Sequence, residues 1–358
     1  MNERSERPWL VALASLPGMG PARLAIVLDG RSPEEAWAHV RDGAERVPEH
    51  VAARWRERSA VVDVGSLWQA HVDAGVRVLR PGDEGWPAAL DDDPEPPALL
   101  FARGEPAVAV EGVRVAIIGT RRCSYSGRQV ARDLGLELSA AGISVVSGLA
   151  LGIDGAAHVG ALTGGTAPVG VVATGLDVVY PRRHRELWDA IGAKGLLLSE
   201  YPLGVWPERW RFPARNRIIA ALADVVIVVE SHAVGGSMHT VESALERGRL
   251  VMAVPGSVRS PSSAGTNALL AAGSPPARDA TDVLVALGLD PEVQHRIAPP
   301  APDGEAGSVL EAVGWEPATL EQIADRIGAP LGPVAVHLAD LEGTGWVRQQ
   351  AGWYERVR

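Results

Sequence analysis

Residues 114–158 read RVAIIGTRRCSYSGRQVARDLGLELSAAGISVVSGLALGIDGAAH, and their pattern decides the fold. Two short runs, RVAIIG (114–119) and ISVVSG (143–148), are apolar throughout rather than alternating, with a helical stretch between them. Strands buried on both faces of a parallel sheet read this way. Four more runs follow: PVGVVATG (168–175), GLLLSE (195–200), ADVVIVVE (223–230) and LVMAVPG (250–256). Six such runs with helices between them predict a doubly wound, mostly parallel α/β domain of Rossmann type over residues 112–288.

Outward from this core the pattern changes in both directions. Residues 9–28 (WLVALASLPGMGPARLAIVL) read as two short apolar-faced helices around the turn Pro17-Gly18-Met19-Gly20-Pro21. That is the pattern of a helix-hairpin-helix or SAM-like unit, whose turn amides either meet a phosphate or merely pack two helices. A helical region near 33–73 continues it, so residues 1–90 are expected to form an all-α domain. DDDPEPPALLFARGEP (91–106), rich in proline and acid, makes 91–111 the expected connection. Downstream, 289–307 reads as a Pro/Ala/Gly-rich linker. Residues 308–358 then read as a winged helix, with helices over Thr319–Ile327 and Pro330–Glu342, Gly343 to Gly345 ending the third helix, and a wing from Val347 to Tyr354.

Composition bounds the function. The chain has 358 residues, 34 basic and 44 acidic side chains and a formal charge of −10. It is too apolar for global disorder, and no apolar run reaches membrane length. Without a signal-like N-terminus it is expected to be soluble and cytoplasmic, with no membrane partner. The one cysteine, Cys123, excludes an intramolecular disulfide and CxxC metal chemistry. Net acidity at first argues against nucleic acid. The charge is unevenly spread, however: residues 1–111 carry 12 bases against 19 acids, 112–288 carry 17 against 14, and 289–358 carry 5 against 11. The core alone is basic. All its cations but Lys194 are arginines, which suit phosphates and base faces, although the codon bias of a GC-rich genome accounts for them as readily.

In open α/β sheets ligands bind beyond the carboxyl ends of the strands, so the following loops matter most. Gly119-Thr120-Arg121-Arg122 is not GxGxxG and no acid closes the second strand, which disfavours NAD. It offers helix N-terminal amides and Arg121 to an anion, or it is a plain turn with two solvated arginines. Ser147-Gly148 opens a second loop where small residues allow a backbone to approach a ligand. There Asp154 is read as a helix cap and His158 as a packing residue rather than an acid–base pair. Arg209, Arg211, Arg215 and Arg217 interleave with Trp206, Trp210 and Phe212, joining phosphate attraction to stacking surfaces as single-stranded nucleic acid requires. Gly235-Gly236-Ser237 opens a helix whose amides point at an anion. The histidines are scattered, no metal cluster stands out, and neither a GxSxG elbow nor a P-loop occurs. No cofactor and no catalytic residue is expected.

These segments together resemble the DNA-processing protein A family, also called DprA or Smf. The resemblance covers nearly the whole chain. It rests on Ile118-Gly119-Thr120-Arg121 with Tyr125 and Gly127, on Ser147-Gly148-x-Ala150-x-Gly152-Ile153-Asp154-x-x-Ala157-His158, and on Gly175-Leu176-Asp177-x-x-Tyr180-Pro181. It continues through Ser199-Glu200-Tyr201-Pro202, Phe212-Pro213-x-Arg215-Asn216-Arg217, Gly236-Ser237, Ala253-Val254-Pro255-Gly256 and Gly265-Thr266-Asn267. It implies an extended Rossmann core that binds single-stranded DNA, forms a homodimer and loads the RecA recombinase during natural transformation or recombination. By motif, DNA contacts would fall on Gly119, Thr120, Arg121, Ser147, Gly148, Phe212, Arg215, Asn216, Arg217, Gly235, Gly236 and Ser237. Thr120 stands where the family usually has serine, and Met238-His239-Thr240 replaces its Leu-Ile-Thr.

The alternative is an enzyme. Nucleoside-monophosphate phosphoribohydrolases of the same extended Rossmann group carry Pro-Gly-Gly-x-Gly-Thr-x-x-Glu. Here Val234-Gly235-Gly236-Ser237-Met238-His239-Thr240-Val241-Glu242 lacks the proline and third glycine. The helix Pro330–Glu342, with Asp340 and Glu342 and no lysine or arginine, is read as protein-binding or structural rather than DNA-reading, while Arg348, Arg356 and Arg358 on the wing favour DNA.

Overall fold

The computed structural model describes residues 6–43, 47–290, 302–343, 346–350 and 352–356. It divides into two compact units, residues 1–295 and 296–358. Most of the linker expected at 289–307, together with Gly345 and Arg358, lies outside the described residues.

The first unit opens with helices α1 (Arg7–Ala14), α2 (Pro21–Leu28), α3 (Pro33–Asp42), α4 (Glu49–Val61) and α5 (Val64–Asp73). Their starts are written locally. Pro21 follows the extended Gly20 at the start of α2, and Ser32 and Glu35 close a capping box on α3.

The six apolar runs all become strands: β3 (Arg114–Ile118), β4 (Ser144–Ser147), β5 (Val169–Val172), β6 (Leu196–Ser199), β7 (Val225–Val228) and β8 (Leu250–Ala253). They pair in parallel in the order β6-β5-β4-β3-β7-β8. The sheet is larger than expected, because β1 (Arg77–Leu79) and β2 (Leu100–Gly104) add two antiparallel strands beyond β6. One lies in the stretch read as all-helical and the other in the stretch read as a connection. Three-residue β1 is too short to show periodicity, and β2 is hidden by the prolines before it. Asp93 docks the acid-rich stretch: Arg247 grips it through two bonds of 2.6 and 2.8 Å. Burial pushes the Asp93 carboxyl up, but that arginine fork holds it below its ordinary range.

Helices cover both faces. On one, α9 (Arg211–Leu222) and α10 (Met238–Glu246) bury Ala116, Ile118, Val171 and Leu198. On the other, α6 (Tyr125–Ala140) and α7 (Ile153–Gly164) bury Val115, Ile117 and Val145. Neighbouring strand residues thus enter opposite cores, which explains why the runs never alternate. The helical head packs onto the second face beyond α7, where Phe101, Leu197 and Trp188 of α8 (Arg185–Lys194) share one core with Leu13 and Trp55. Burying Phe101 alone is worth about 1.5–3 kcal/mol. His71 adds a polar tie: its Nδ1 donates to Leu67 O, and its Nε2 accepts the Leu203 amide at 3.1 Å.

The second unit has its own core around Val309, Leu310, Ile323, Val334 and Leu338. Its helices are Gly304–Val313, Leu320–Ile327 and Leu331–Gly343, and strands Val347–Gln350 and Trp353–Arg356 pair antiparallel as the wing. The first helix starts within the stretch read as linker. A capping box between Thr319 and Gln322 and a left-handed Gly328 bound the second helix.

Candidate nucleic-acid interface

The chain enters the parallel sheet at β3, builds outward to β6, then returns to β7 on the far side of β3. Loops after β3 and β7 therefore diverge at the carboxyl rim and leave a crevice, as doubly wound sheets do. The crevice here is a cleft of about 680 Å³. Gly119, Thr120 and Arg121 form one wall, Gly235, Gly236 and Ser237 another, and Phe212, Arg215 and Asn216 of α9 a third. Four arginines, Arg121, Arg122, Arg209 and Arg215, face one carboxylate, Asp154.

Phe212 stands at the first turn of α9 as an aromatic platform. The Arg121 guanidinium lies 4.7 Å from its ring centroid, and the Tyr180 ring is 5.6 Å away, tilted by 43°. Such an arginine is attracted to the ring quadrupole and leaves its N–H groups free for phosphate. Asn216 steadies the opposite wall, donating 3.4 Å to Gly236 O while its Oδ1 accepts from Arg215.

Arg215 plays a different part from Arg121. It is buried, and its Nη1 donates to the carbonyls of Val171 and Gly148, the latter at 2.8 Å. Burial pulls its pKa down to about 10 despite Asp154 nearby. Asp154, itself pushed up by burial, accepts the Gly148 amide at 3.2 Å. The carboxylate turns back to the loop rather than capping α7, whose N-cap is Gly152. Gly148 is required here, because a Cβ would come within 2.5 Å of the Arg215 nitrogens. His158 packs as expected: it is fully buried, and burial drives its pKa down to about 3.

Two residues read as site residues lie elsewhere. The Ser147 hydroxyl is buried and donates to Ile117 O at 2.6 Å, tying β4 to β3. Arg217 projects from another side of α9 and pairs with Glu200 at 2.5 Å, with Glu95 3.7 Å away. A helix turns by about 100° per residue, so adjacent letters in Arg215-Asn216-Arg217 cannot share one face. Glu200, buried beside it, has its carboxyl pushed up to about 7 by desolvation, with Arg217 opposing.

The α6 N-terminus, read as an anion site, is already occupied. Glu230, just beyond β7, accepts the Ser124 amide at 2.8 Å and the Ser124 hydroxyl at 2.5 Å. Its carboxylate fills the space beside Gly127 where a nucleotide phosphate would otherwise sit. A carboxylate more than 100 residues away in sequence could not be anticipated from the loop itself. Conversely, Tyr180, Arg122, Arg209 and Thr240 line the cleft without having been singled out as contacts. The signal for Tyr180 was available, an aromatic residue in the loop after β5. Among the described residues no group of three or more His, Cys, Asp and Glu could hold a metal ion, and no helix is long and apolar enough to cross a membrane.

Residues 77–288 match the family described as DNA recombination-mediator protein A, and residues 294–352 match the DprA winged helix domain. The chain is 34% identical over 359 residues to the putative DNA processing protein DprA of Mycobacterium tuberculosis strain H37Rv, covering 94% of this chain and 91% of that one. It is 37% identical over 218 residues to the DNA processing protein DprA of Bacillus subtilis strain 168, covering 61% and 73%. Among solved structures, the DNA processing protein A of Streptococcus pneumoniae superposes with a TM-score of 0.65 at 32% identity, covering 80% of this chain and 98% of that one. The protein from Helicobacter pylori, described with a unique single-stranded DNA binding mode, superposes with a TM-score of 0.54 at 31% identity, covering 59% and 95%.

Proposed function

The chain belongs to the DprA/Smf family of DNA recombination-mediator proteins, and from that premise we propose that its cleft binds single-stranded DNA without regard to sequence. One observation carries the reading: Phe212 and Arg121 are stacked together at the mouth of a cleft with four arginines and one acid. A base can lie on the ring and its phosphate meet the guanidinium, and neither contact depends on which base is present. The Helicobacter pylori relative's single-stranded ligand supports the same assignment. Loading of RecA, action in natural transformation or recombination, a homodimer and a cytoplasmic location complete the proposal on the strength of the family resemblance.

Binding rather than bond cleavage fits the site better. Glu230 holds the helix end that a nucleoside monophosphate would need, which weighs against a phosphoribohydrolase. The test is a gel shift with poly-dT across a salt series. Binding should weaken steeply with salt, and Arg121→Ala should lower the logarithmic salt slope by about 0.7, one single-strand phosphate contact. Salt-insensitive binding, or an unchanged slope in Arg121→Ala, would show the pocket to be misassigned. RecA assembly on the same oligonucleotide, with and without the protein, tests the loading step.

A further inference from the structure

The first turn of α9 separates the cleft from a second groove of about 820 Å³, which runs between α9 and the Gly18–Gly20 turn of the helical head. Arg209 and Phe212 line the first, and Trp210 and Ala214 line the second. Each side of the turn therefore carries an aromatic ring with an arginine on it. Arg121 lies over Phe212, and Arg211 lies over Trp210 at 5.1 Å. Trp210 is held in place, since its Nε1 donates to Glu208 at 2.6 Å, yet it remains 44% exposed.

We infer that a single strand leaving the cleft crosses the α9 turn and continues along this groove, stacking on Trp210 and bringing a phosphate to the Gly18–Gly20 turn. The inference rests on the cleft being the strand's first site. The turn and the tryptophan form one surface, because a Cβ on Gly20 would lie 3.1 Å from the Trp210 ring. Arg23 lines the groove and folds over the turn, donating to Gly18 O at 2.6 Å. Arg217 also lines it, with its side chain 9% exposed and its Nη1 without a hydrogen-bond partner. The nearby acids are engaged: Glu208 by Trp210 and Arg211, Glu95 by Arg217. This gives the head's hairpin a nucleic-acid role despite the net acidity of its domain. Aromatic platforms tolerate any base, so the extension adds affinity without adding sequence preference.

Strand length distinguishes the two sites. Titrate the full chain with fluorescein-labelled oligo-dT of about four nucleotides, which the cleft alone can hold, and of about sixteen, the upper span of a groove-tracking module. Trp210→Ala should weaken the long oligonucleotide about tenfold and leave the short one unchanged. Arg23→Glu, an exposed change that spares the core, should act in the same direction. Arg121→Ala should weaken both lengths. Wild-type affinity of the tryptophan variant for the long strand, with Arg121→Ala still impaired, overturns the groove and leaves the cleft standing. Equal weakening of both lengths by the tryptophan variant overturns it as well, since the ring would then act through the cleft. If Arg121→Ala changes neither length, the cleft assignment fails and the extension fails with it.

Discussion

Arg215→Ala separates a residue that builds the interface from one that touches the ligand. The guanidinium sits beneath the rim, bonded to Gly148 O and Val171 O and interacting with buried Asp154. Truncation removes the larger of the two positive charges acting on Asp154 and leaves two carbonyls without their donor. Breaking a buried charge pair from one side costs about 3–5 kcal/mol, a large share of a total stability of about 5–15 kcal/mol. Arg121 is exposed and its guanidinium rests on the Phe212 ring, so Arg121→Ala should cost less than about 1 kcal/mol of stability. Urea unfolding followed by circular dichroism measures the first quantity, and the salt dependence of poly-dT binding measures the second. Arg215→Ala should lower the unfolding midpoint sharply while the salt slope of the remaining folded protein stays near wild type. The paired variant Asp154→Asn/Arg215→Met should recover much of the stability, because it removes both charges together. A wild-type midpoint in Arg215→Ala, together with a slope reduced by about 0.7, would refute the argument and place Arg215 on a phosphate.

Two further outcomes follow from buried groups. Gly127→Ala brings a Cβ within 2.7 Å of both Glu230 carboxylate oxygens, so Glu230 must leave Ser124; the loss of charge-assisted bonds should cost about 2–3 kcal/mol, visible as a lower urea midpoint. Burial pulls the His158 pKa down to about 3 from its ordinary 6.5, so below pH 6.5 the unfolded chain takes up a proton that the folded chain refuses. Its contribution to stability is complete above pH 6.5 and lost as the pH falls, by about 2 kcal/mol at pH 5. His158→Gln should flatten that part of the stability–pH curve, and identical curves for variant and wild type would show that His158 is not the titrating group.

The parts of the fold legible in the letters were those written by local rules. Six unbroken apolar runs became six parallel strands, since residues such as Val115 and Ala116 enter cores on opposite faces and neither can be polar. Helix starts at Pro21, Ser32 and Thr319 were carried by their own capping residues. The site was legible as far as the carboxyl rim and the aromatic–arginine stretch, because a parallel sheet puts its loops there by topology alone.

What stayed hidden depended on partners distant in the chain. No local pattern announces that β2 would join β6, that Asp93 would meet Arg247, or that Glu230 would fill the end of α6. The sharpest case is Arg215-Asn216-Arg217. The sequence by itself determined that these polar residues follow the last aromatic of a basic loop. Only the tertiary structure assigned them separate tasks, because the turn of a helix sends Arg215 under the rim, Asn216 to the Gly236 loop and Arg217 to Glu200. Composition and periodicity record which residues are present and how they repeat. Whether a buried charge binds a ligand or holds the scaffold depends on which opposite charge the fold brings beside it.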